Sequence, residues 1–242
     1  MDASIRVAEQ PAARGALWLA DSFRLFRASP LQWIGLCAGW ISITFALVLV
    51  PFVGGVIANF LQPAFFASFA IAAYKQSAGE RIVMADLFAG FRRNMRALVN
   101  LGAIELLAAI GIVALMTALG LPGVPESSPE NAVADYLELL KGHEWILALG
   151  FVLLVVLKGA LWFAPPLIAF HGMSTGHAIR WSVYAALANI GAMIVYGALL
   201  LGLMLLSVLT SGLGLVVAMP MMVISTYVGY REVFESATAQ RA

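Results

Sequence analysis

Two charged residues, Glu105 and Lys158, lie deep inside apolar runs, where a charge is costly enough to require a partner or a function. Glu105 follows Arg96 by nine residues and Lys158 precedes His171 by thirteen. At about 1.5 Å per helical residue, these spacings place them ~13 and ~20 Å from the same membrane boundary, a difference that a lysine side chain can cover. Because a paired carboxylate and ammonium cost far less in lipid than either alone, the sequence predicts an intramembrane pair of Glu105 and Lys158.

This polar pair has two interpretations. In the structural one, the ion pair fixes the register of two membrane helices, or Lys158 extends alone towards the membrane surface. In the functional one, the pair is a polar centre in the path of a substrate or a proton. The spacing of the two residues agrees with both interpretations.

Residues that could support catalysis are sparse elsewhere. Ser174, in the segment GMST, resembles a serine nucleophile only faintly, and no apolar run has a histidine base in its interior, so Ser174 or Thr175 fits better as a helix cap. His171 and His177 could bind a metal, but no third ligand is near them in sequence. The chain has no Gly-rich phosphate loop, no HExxH motif and no Asp in any apolar run, which excludes nucleotide hydrolysis, zinc proteolysis and aspartyl intramembrane proteolysis. We therefore predict no enzymatic activity, no catalytic residue, no metal site and no cofactor.

The composition determines what kind of structure must position these residues. Of the 242 residues, 62% are hydrophobic and 11% are charged, and the mean hydropathy is +0.93. Such a chain has too little polar surface to cover a soluble globule, so it is predicted to be an integral membrane protein. A net charge of +1 gives no attraction to nucleic acid. The first 30 residues contain four arginines and no short apolar core, so we expect no cleaved signal peptide.

Six apolar runs are long enough for membrane-spanning helices, and they predict an all-α, polytopic fold. They cover residues 31–50, 55–74, 97–120, 145–170, 190–209 and 213–230. Six spans place both termini on one side, with an N-terminal segment 1–30, a transmembrane domain 31–230 and a tail 231–242. Twelve Lys and Arg residues lie in the loops and termini of that side and only Lys141 in the opposite loops, so the positive-inside rule predicts cytoplasmic termini.

The large outward loop, residues 121–144, has the pattern of a short amphipathic helix. Ser128 and Pro129 suit its start and Gly142 its end, and the apolar positions recur at Val133, Tyr136, Leu137 and Leu140. Its acidic residues give that side a negative face. A solvated cap that connects two spans is the simpler interpretation, and a binding platform is the alternative.

Amphipathic stretches also precede the first, third and fifth spans, and they predict interfacial helices on the cytoplasmic side. The apolar positions of the first two are Ala16, Leu19, Phe23 and Phe26, and Met84, Leu87, Phe88 and Phe91. The third, weaker stretch runs through Ile179, Ser182, Val183, Ala186 and Asn189. Each stretch is followed by two spans, so the chain is compatible with a threefold repeat of one unit. The alternative is that any hairpin entering from the cytoplasm has an amphipathic start.

Several short motifs carry a resemblance to a known family. They are DSFRLFRASP at 21–30, DLFAGFRRN at 86–94, FAPPLIAFHG at 163–172, AIRWS at 178–182 and YVGYREVF at 227–234. They resemble a family of uncharacterised six-span inner-membrane proteins of proteobacteria. More distantly, they are similar to the membrane domain of some glycerophosphodiester phosphodiesterases. The resemblance implies a bacterial inner-membrane location and a non-catalytic module, with no family active site to transfer.

Two classes of function remain open at the level of the sequence. The first is an accessory or assembly protein of the bacterial envelope, whose basic cytoplasmic helices contact anionic lipids or a membrane-protein partner. The second is a small transporter or lipid-handling protein that uses Glu105 and Lys158, with helices interrupted at Pro63, Pro165–Pro166 and Pro220. A polar cavity reaching Lys158 would favour transport, and a tightly packed interior would favour the accessory role.

Overall fold

The structure is a computed structural model that describes residues 5–123 and 132–235. In these ranges the chain is helical and has no β-strand. Its α-helices are α1 (Arg14–Ala28), α2 (Pro30–Val48), α3 (Gly54–Ser77), α4 (Met95–Ala118), α5 (Ala132–Leu139), α6 (Glu144–Leu161), α7 (Ala164–His171), α8 (Thr175–Ala188), α9 (Ile190–Leu209) and α10 (Leu215–Tyr230). Two 3₁₀ turns, Met84–Phe88 and Gly90–Arg92, precede α4, and a π-helical turn, Arg231–Glu235, follows α10.

Five helical segments among the described residues are long and apolar enough to cross a membrane. They are α2, α3, α4, the consecutive α6 and α7 (Glu144–His171), and α9. The sixth predicted span corresponds to α10, which has 16 residues and is shorter than the ~20 residues that a spanning helix needs. It starts late because the tight turn between α9 and α10 includes Gly212, whose φ is +86°. An all-helical membrane fold is thus confirmed with five candidate spans.

The fourth predicted span is interrupted at Trp162 and Phe163, just before the two prolines. Since Pro165 and Pro166 lack an N–H, the helix cannot keep its hydrogen-bond ladder through this point. Ser182 of α8 bridges the interruption: its Oγ accepts a hydrogen bond from the Phe163 backbone N–H at 3.1 Å and donates one to the Ala160 carbonyl at 2.7 Å. A buried hydroxyl therefore satisfies backbone groups that the helix leaves free. By contrast, α3 and α10 continue through Pro63 and Pro220.

Two of the three amphipathic segments pack against helices that precede them in the chain, and α1 packs against the last two long helices. The 3₁₀ turns pack against α2 and α3, α8 packs against α6 and α7, and α1 packs against α9 and α10 at the other end of the sequence. The segment before α4 forms 3₁₀ turns instead of the predicted regular helix. Its Gly90 lies directly on α3, where a Cβ would come within 2.2 Å of the Ala64 carbonyl oxygen.

The core lies at the end of the bundle that carries both termini, which we call the terminal side. Here α3, α7 and α10 pack against one another, and the fully buried rings include Trp18, Phe65, Phe163 and Tyr227. Large apolar side chains are exposed along the membrane-crossing helices and at the opposite end, the far side; they include Phe45, Phe52, Leu107, Val152 and Leu209. Exposed apolar surface of this extent is what lipid covers in an integral membrane protein.

The far-side loop contains α5, which ends at Leu139, and Gly142 has a φ of +85°, as suits the end of a helix. The predicted cap residues Ser128 and Pro129 lie outside the described residues. In the first span, Gly35 and Gly39 face the 3₁₀ turn of the same chain, because a Cβ at either position would touch Met84. This pair of glycines therefore serves close packing within the chain.

Candidate membrane-embedded polar site

Three long helices bring their polar side chains together within the bundle. Lys158 on α6 donates a hydrogen bond from Nζ to Glu105 Oε2 on α4 at 2.9 Å, and a longer one to Gln62 Oε1 on α3 at 3.3 Å. The structure thus brings together the two residues that the sequence singled out and adds Gln62, which the sequence analysis missed. A polar side chain inside the second apolar run was the signal that could have identified Gln62.

The two charged side chains differ in how far the protein covers them. The Glu105 side chain is 11% exposed, whereas the Lys158 side chain is 53% exposed. An ammonium group has three N–H donors, and two of them bind Glu105 and Gln62. The carboxylate is therefore enclosed by protein, while the ammonium group is open to whatever surrounds α6.

Local sequence features explain why α3 and α4 approach closely enough to form this polar site. Pro63 has no N–H to bond the Asn59 carbonyl one turn earlier. That carbonyl lies against Gly102 of α4, where a Cβ would come within 2.7 Å of the Asn59 oxygen. Gly102 precedes Glu105 by one helical turn, so close packing at the glycine positions the carboxylate beside α3.

The other candidate residues, His171, Ser174 and His177, do not form one site. Ser174 occupies the position before α8, but its hydroxyl lies 3.0 Å from His177 Nδ1 and makes no cap hydrogen bond to the helix. His171 Nε2 lies 2.7 Å from the Tyr230 hydroxyl. Across the parts of the chain that the structure describes, no three His, Cys, Asp or Glu residues are grouped as a metal site would require.

A second polar cluster, at the terminal side, was not predicted from the sequence. The carboxylate of Glu232 accepts hydrogen bonds from Arg14 Nε at 3.0 Å and Trp18 Nε1 at 2.9 Å, and Arg14 Nη2 also contacts it. The adjacent chain is fixed as well, because the Gln10 backbone N–H donates to Asn189 Oδ1 at 2.7 Å. This cluster joins the N-terminal segment to the end of α10, and its geometry is that of a structural contact.

Two neighbouring cavities at the terminal side do not include the membrane-embedded polar site. One, of about 260 Å³, is lined by Leu31, Gln32 and residues 82–84. The other, of about 300 Å³, is lined by Asn94, Arg96, Ala97, Asn100, Ser174 and Thr175. Neither has Gln62, Glu105 or Lys158 in its lining.

Comparison with known proteins adds one informative relative. The chain is 27% identical over 248 residues to a probable inner membrane protein of Burkholderia thailandensis, and the match covers 93% of this chain and 90% of the relative. No family model matches the sequence, and no solved structure matches it. The relative and the five long apolar helices support the same assignment. The chain is an integral, multi-pass protein of the bacterial inner membrane.

Proposed function

We propose that the protein is a non-catalytic accessory or assembly component of the bacterial inner membrane. The observation that supports this function is the filled interior on the terminal side, where α3, α7 and α10 meet. The Phe65, Phe69, Phe163 and Tyr227 rings there are each at most 2% exposed, and interiors packed in this way leave no room for a substrate path. A packed bundle with lipid-exposed helices suits a role in holding other proteins or lipids.

We further propose that the protein has six spans and cytoplasmic termini. The sixth span would consist of residues 213–230, which include α10. As a helix, these residues would rise about 27 Å, close to the thickness of a bilayer core. The excess of Lys and Arg on the terminal side supports the orientation. Reporter fusions after residue 242 and within 121–144 test the orientation. A periplasmic signal from the fusion after residue 242 would refute cytoplasmic termini.

The order of the helices supports a threefold repeat as part of this proposal. Each amphipathic segment is followed by two long helical segments. The 3₁₀ turns pack against α2 and α3, α8 packs against α4 and the consecutive α6 and α7, and α1 packs against α9 and α10. In this arrangement the amphipathic segments lie at the cytoplasmic interface. The distant similarity to the membrane domain of glycerophosphodiester phosphodiesterases also remains a proposal, carried by the short motifs alone.

The partners that this function implies are anionic lipids at the cytoplasmic face and another membrane protein. Exposed arginines without an ion pair to any described residue support the first, because each gains from a negative surface. They include Arg27, Arg81, Arg92, Arg93 and Arg96. We expect the Arg92→Gln, Arg93→Gln double variant to retain less phosphatidylglycerol on purification than a control variant with Lys141→Gln. Equal retention would argue against the lipid contact.

Affinity purification of the full chain in a mild detergent, followed by mass spectrometry, tests the accessory role. We expect a membrane protein to be recovered in near-stoichiometric amount from cells with the tagged chain at its normal level. Tagging a different inner-membrane protein of similar abundance provides the control. Recovery of a defined lipid without any protein partner would contradict the accessory role and favour the second candidate.

The second candidate is a lipid-handling protein or small transporter that uses Lys158 and Glu105, and one observation favours it. The Lys158 side chain is half exposed although its helix crosses the membrane. A purely structural ion pair would be expected to be enclosed on both sides. Comparison of Lys158→Met, Glu105→Gln and the double variant tests this candidate. If the double variant restores protein level with its cellular phenotype intact, the polar pair is structural.

A further inference from the structure

One N–H donor of Lys158 has no acceptor among the described residues. The ammonium group donates to Glu105 and to Gln62, and the remaining donor belongs to a side chain that is 53% exposed. An ammonium donor without an acceptor is costly in hydrocarbon, since no water replaces the missing bond. The position therefore requires an acceptor from outside the chain.

The depth of Lys158 limits what that acceptor can be. Lys158 lies 14 residues after Glu144 and 13 before His171, the two ends of its membrane-crossing segment. At 1.5 Å per residue it is about 20 Å from either end, close to the middle of the hydrocarbon core. Lipid phosphates lie at the surface, so a phosphate would have to leave its own hydration to reach this depth.

The charge of the polar site limits the acceptor further. The formal charges of Lys158 and Glu105 cancel, because the two groups already form an ion pair at 2.9 Å. An anion bound to Lys158 would add a net negative charge in the hydrocarbon, which is strongly unfavourable. A neutral oxygen acceptor satisfies the free donor without adding charge.

We infer that Lys158 binds the carbonyl oxygen of a neutral membrane lipid. The ring carbonyl of an isoprenoid quinone and the ester carbonyl of a diacylglycerol share this chemistry, and neither molecule has a charged headgroup that would hold it at the surface. The exposed Leu154 and Val155 precede Lys158 by four and three residues, so they form an apolar surface on the same side of α6 for the rest of the lipid. This inference rests on the second candidate function, because it names the class of molecule that the polar site would hold.

Binding of two neutral probes to the full chain in nanodiscs tests the inference. The probes are a short-chain ubiquinone and dioleoylglycerol, and phosphatidylglycerol serves as the anionic comparison. We expect Lys158→Met to weaken binding of a neutral probe about tenfold or more, the effect of losing a hydrogen bond to a charged donor. Lys158→Gln keeps an amide donor and should retain part of the binding. The matched control is Lys141→Met, which removes the lysine of a water-exposed pair with Glu138.

The outcomes separate the inference from its alternatives. Displacement of one neutral probe by the other on the wild-type chain supports a shared carbonyl site and does not depend on any variant folding. Equal binding by Lys158→Met and Lys141→Met would overturn the inference, as would Lys158-dependent binding of phosphatidylglycerol alone. Lys158-dependent self-association without bound lipid would also overturn it. A separate assay measures whether the protein moves lipid between the leaflets of liposomes. Binding of a neutral probe without such movement would reject the lipid-handling function and still support the carbonyl site.

Discussion

Two glutamates in this protein are almost fully buried and bind a cation, yet their surroundings differ. Glu232, at the terminal side, is held by Arg14 and Trp18 and joins the two ends of the chain. Glu105, within the membrane-crossing helices, is held by Lys158, whose side chain is 53% exposed. The Glu232 carboxylate binds the fully buried Trp18 and Arg14, whose side chain is 36% exposed, whereas the cation that binds Glu105 is 53% exposed.

This difference separates a contact that stabilises the fold from one that remains available to other molecules. Removal of one partner from an enclosed ion pair leaves an uncompensated charge and is strongly destabilising. Where the cation is half exposed within the membrane, a neutral acceptor from the surrounding lipid can replace the missing partner, and the loss is smaller. We therefore expect variants at the terminal side to change stability most, and variants at the membrane-embedded polar site to change binding more than stability.

The largest effect is expected for Glu232→Gln. This change removes the charge that Arg14 binds and weakens the hydrogen bonds that join the N-terminal segment to the end of α10. We expect a loss of about 3 kcal/mol in the free energy of unfolding, the low end of the cost of breaking a buried pair, because Glu232 is buried and Arg14 is 36% exposed. Thermal unfolding in detergent measures it. The control is Glu9→Gln, at an exposed position nearby, and equal effects of the two variants would contradict the distinction.

The next effect is expected for Ser182→Ala, at the interruption between α6 and α7. The hydroxyl makes two hydrogen bonds to backbone groups of the interrupted segment, one to the buried Phe163 and one to the partly buried Ala160. Each orphaned group costs about 1–3 kcal/mol, so we expect a loss of about 2 kcal/mol or more. Ser22→Ala is the matched control: Ser22 is equally buried, but its hydroxyl bonds only to the Trp18 carbonyl of its own helix. A similar loss in both variants would show that the bridge across the interruption has no special role.

Sequence reasoning identified the membrane class, the long helices and the two charged residues of the polar site, because these depend on local composition and spacing. It did not identify Glu232 as a central contact, since Arg14 and Glu232 are 218 residues apart and only the packing of α1 against α10 joins them. The segment before α4, predicted as an amphipathic helix, forms two short 3₁₀ turns. Gly90 lies directly against α3 in this segment. The periodicity of the apolar positions could not predict that contact.

At the membrane-embedded polar site we expect an asymmetry between the two single variants. Lys158→Met leaves the enclosed Glu105 carboxylate without its cation and should cost about 2 kcal/mol. Glu105→Gln leaves the ammonium a neutral side-chain oxygen that can still accept its hydrogen bond, and should cost less than about 1 kcal/mol. The double variant should recover most of the loss. Unfolding of all three in the same detergent measures these differences, and equal costs for the two single variants would show that Glu105 and Lys158 are enclosed alike.

The smallest effect on stability is expected for Gln62→Leu, and it sharpens the comparison most. The hydrogen bond from Lys158 to Gln62 is long, at 3.3 Å, and its donor is half exposed, so its loss should change the unfolding free energy by less than about 0.5 kcal/mol. The same change frees a second donor on Lys158, so binding of a neutral carbonyl probe should be kept or strengthened. A stable variant that binds the probe more tightly would show that the polar site binds a ligand. Strong destabilisation by Gln62→Leu would instead show that Gln62, Glu105 and Lys158 stabilise the fold, as the Glu232 cluster does.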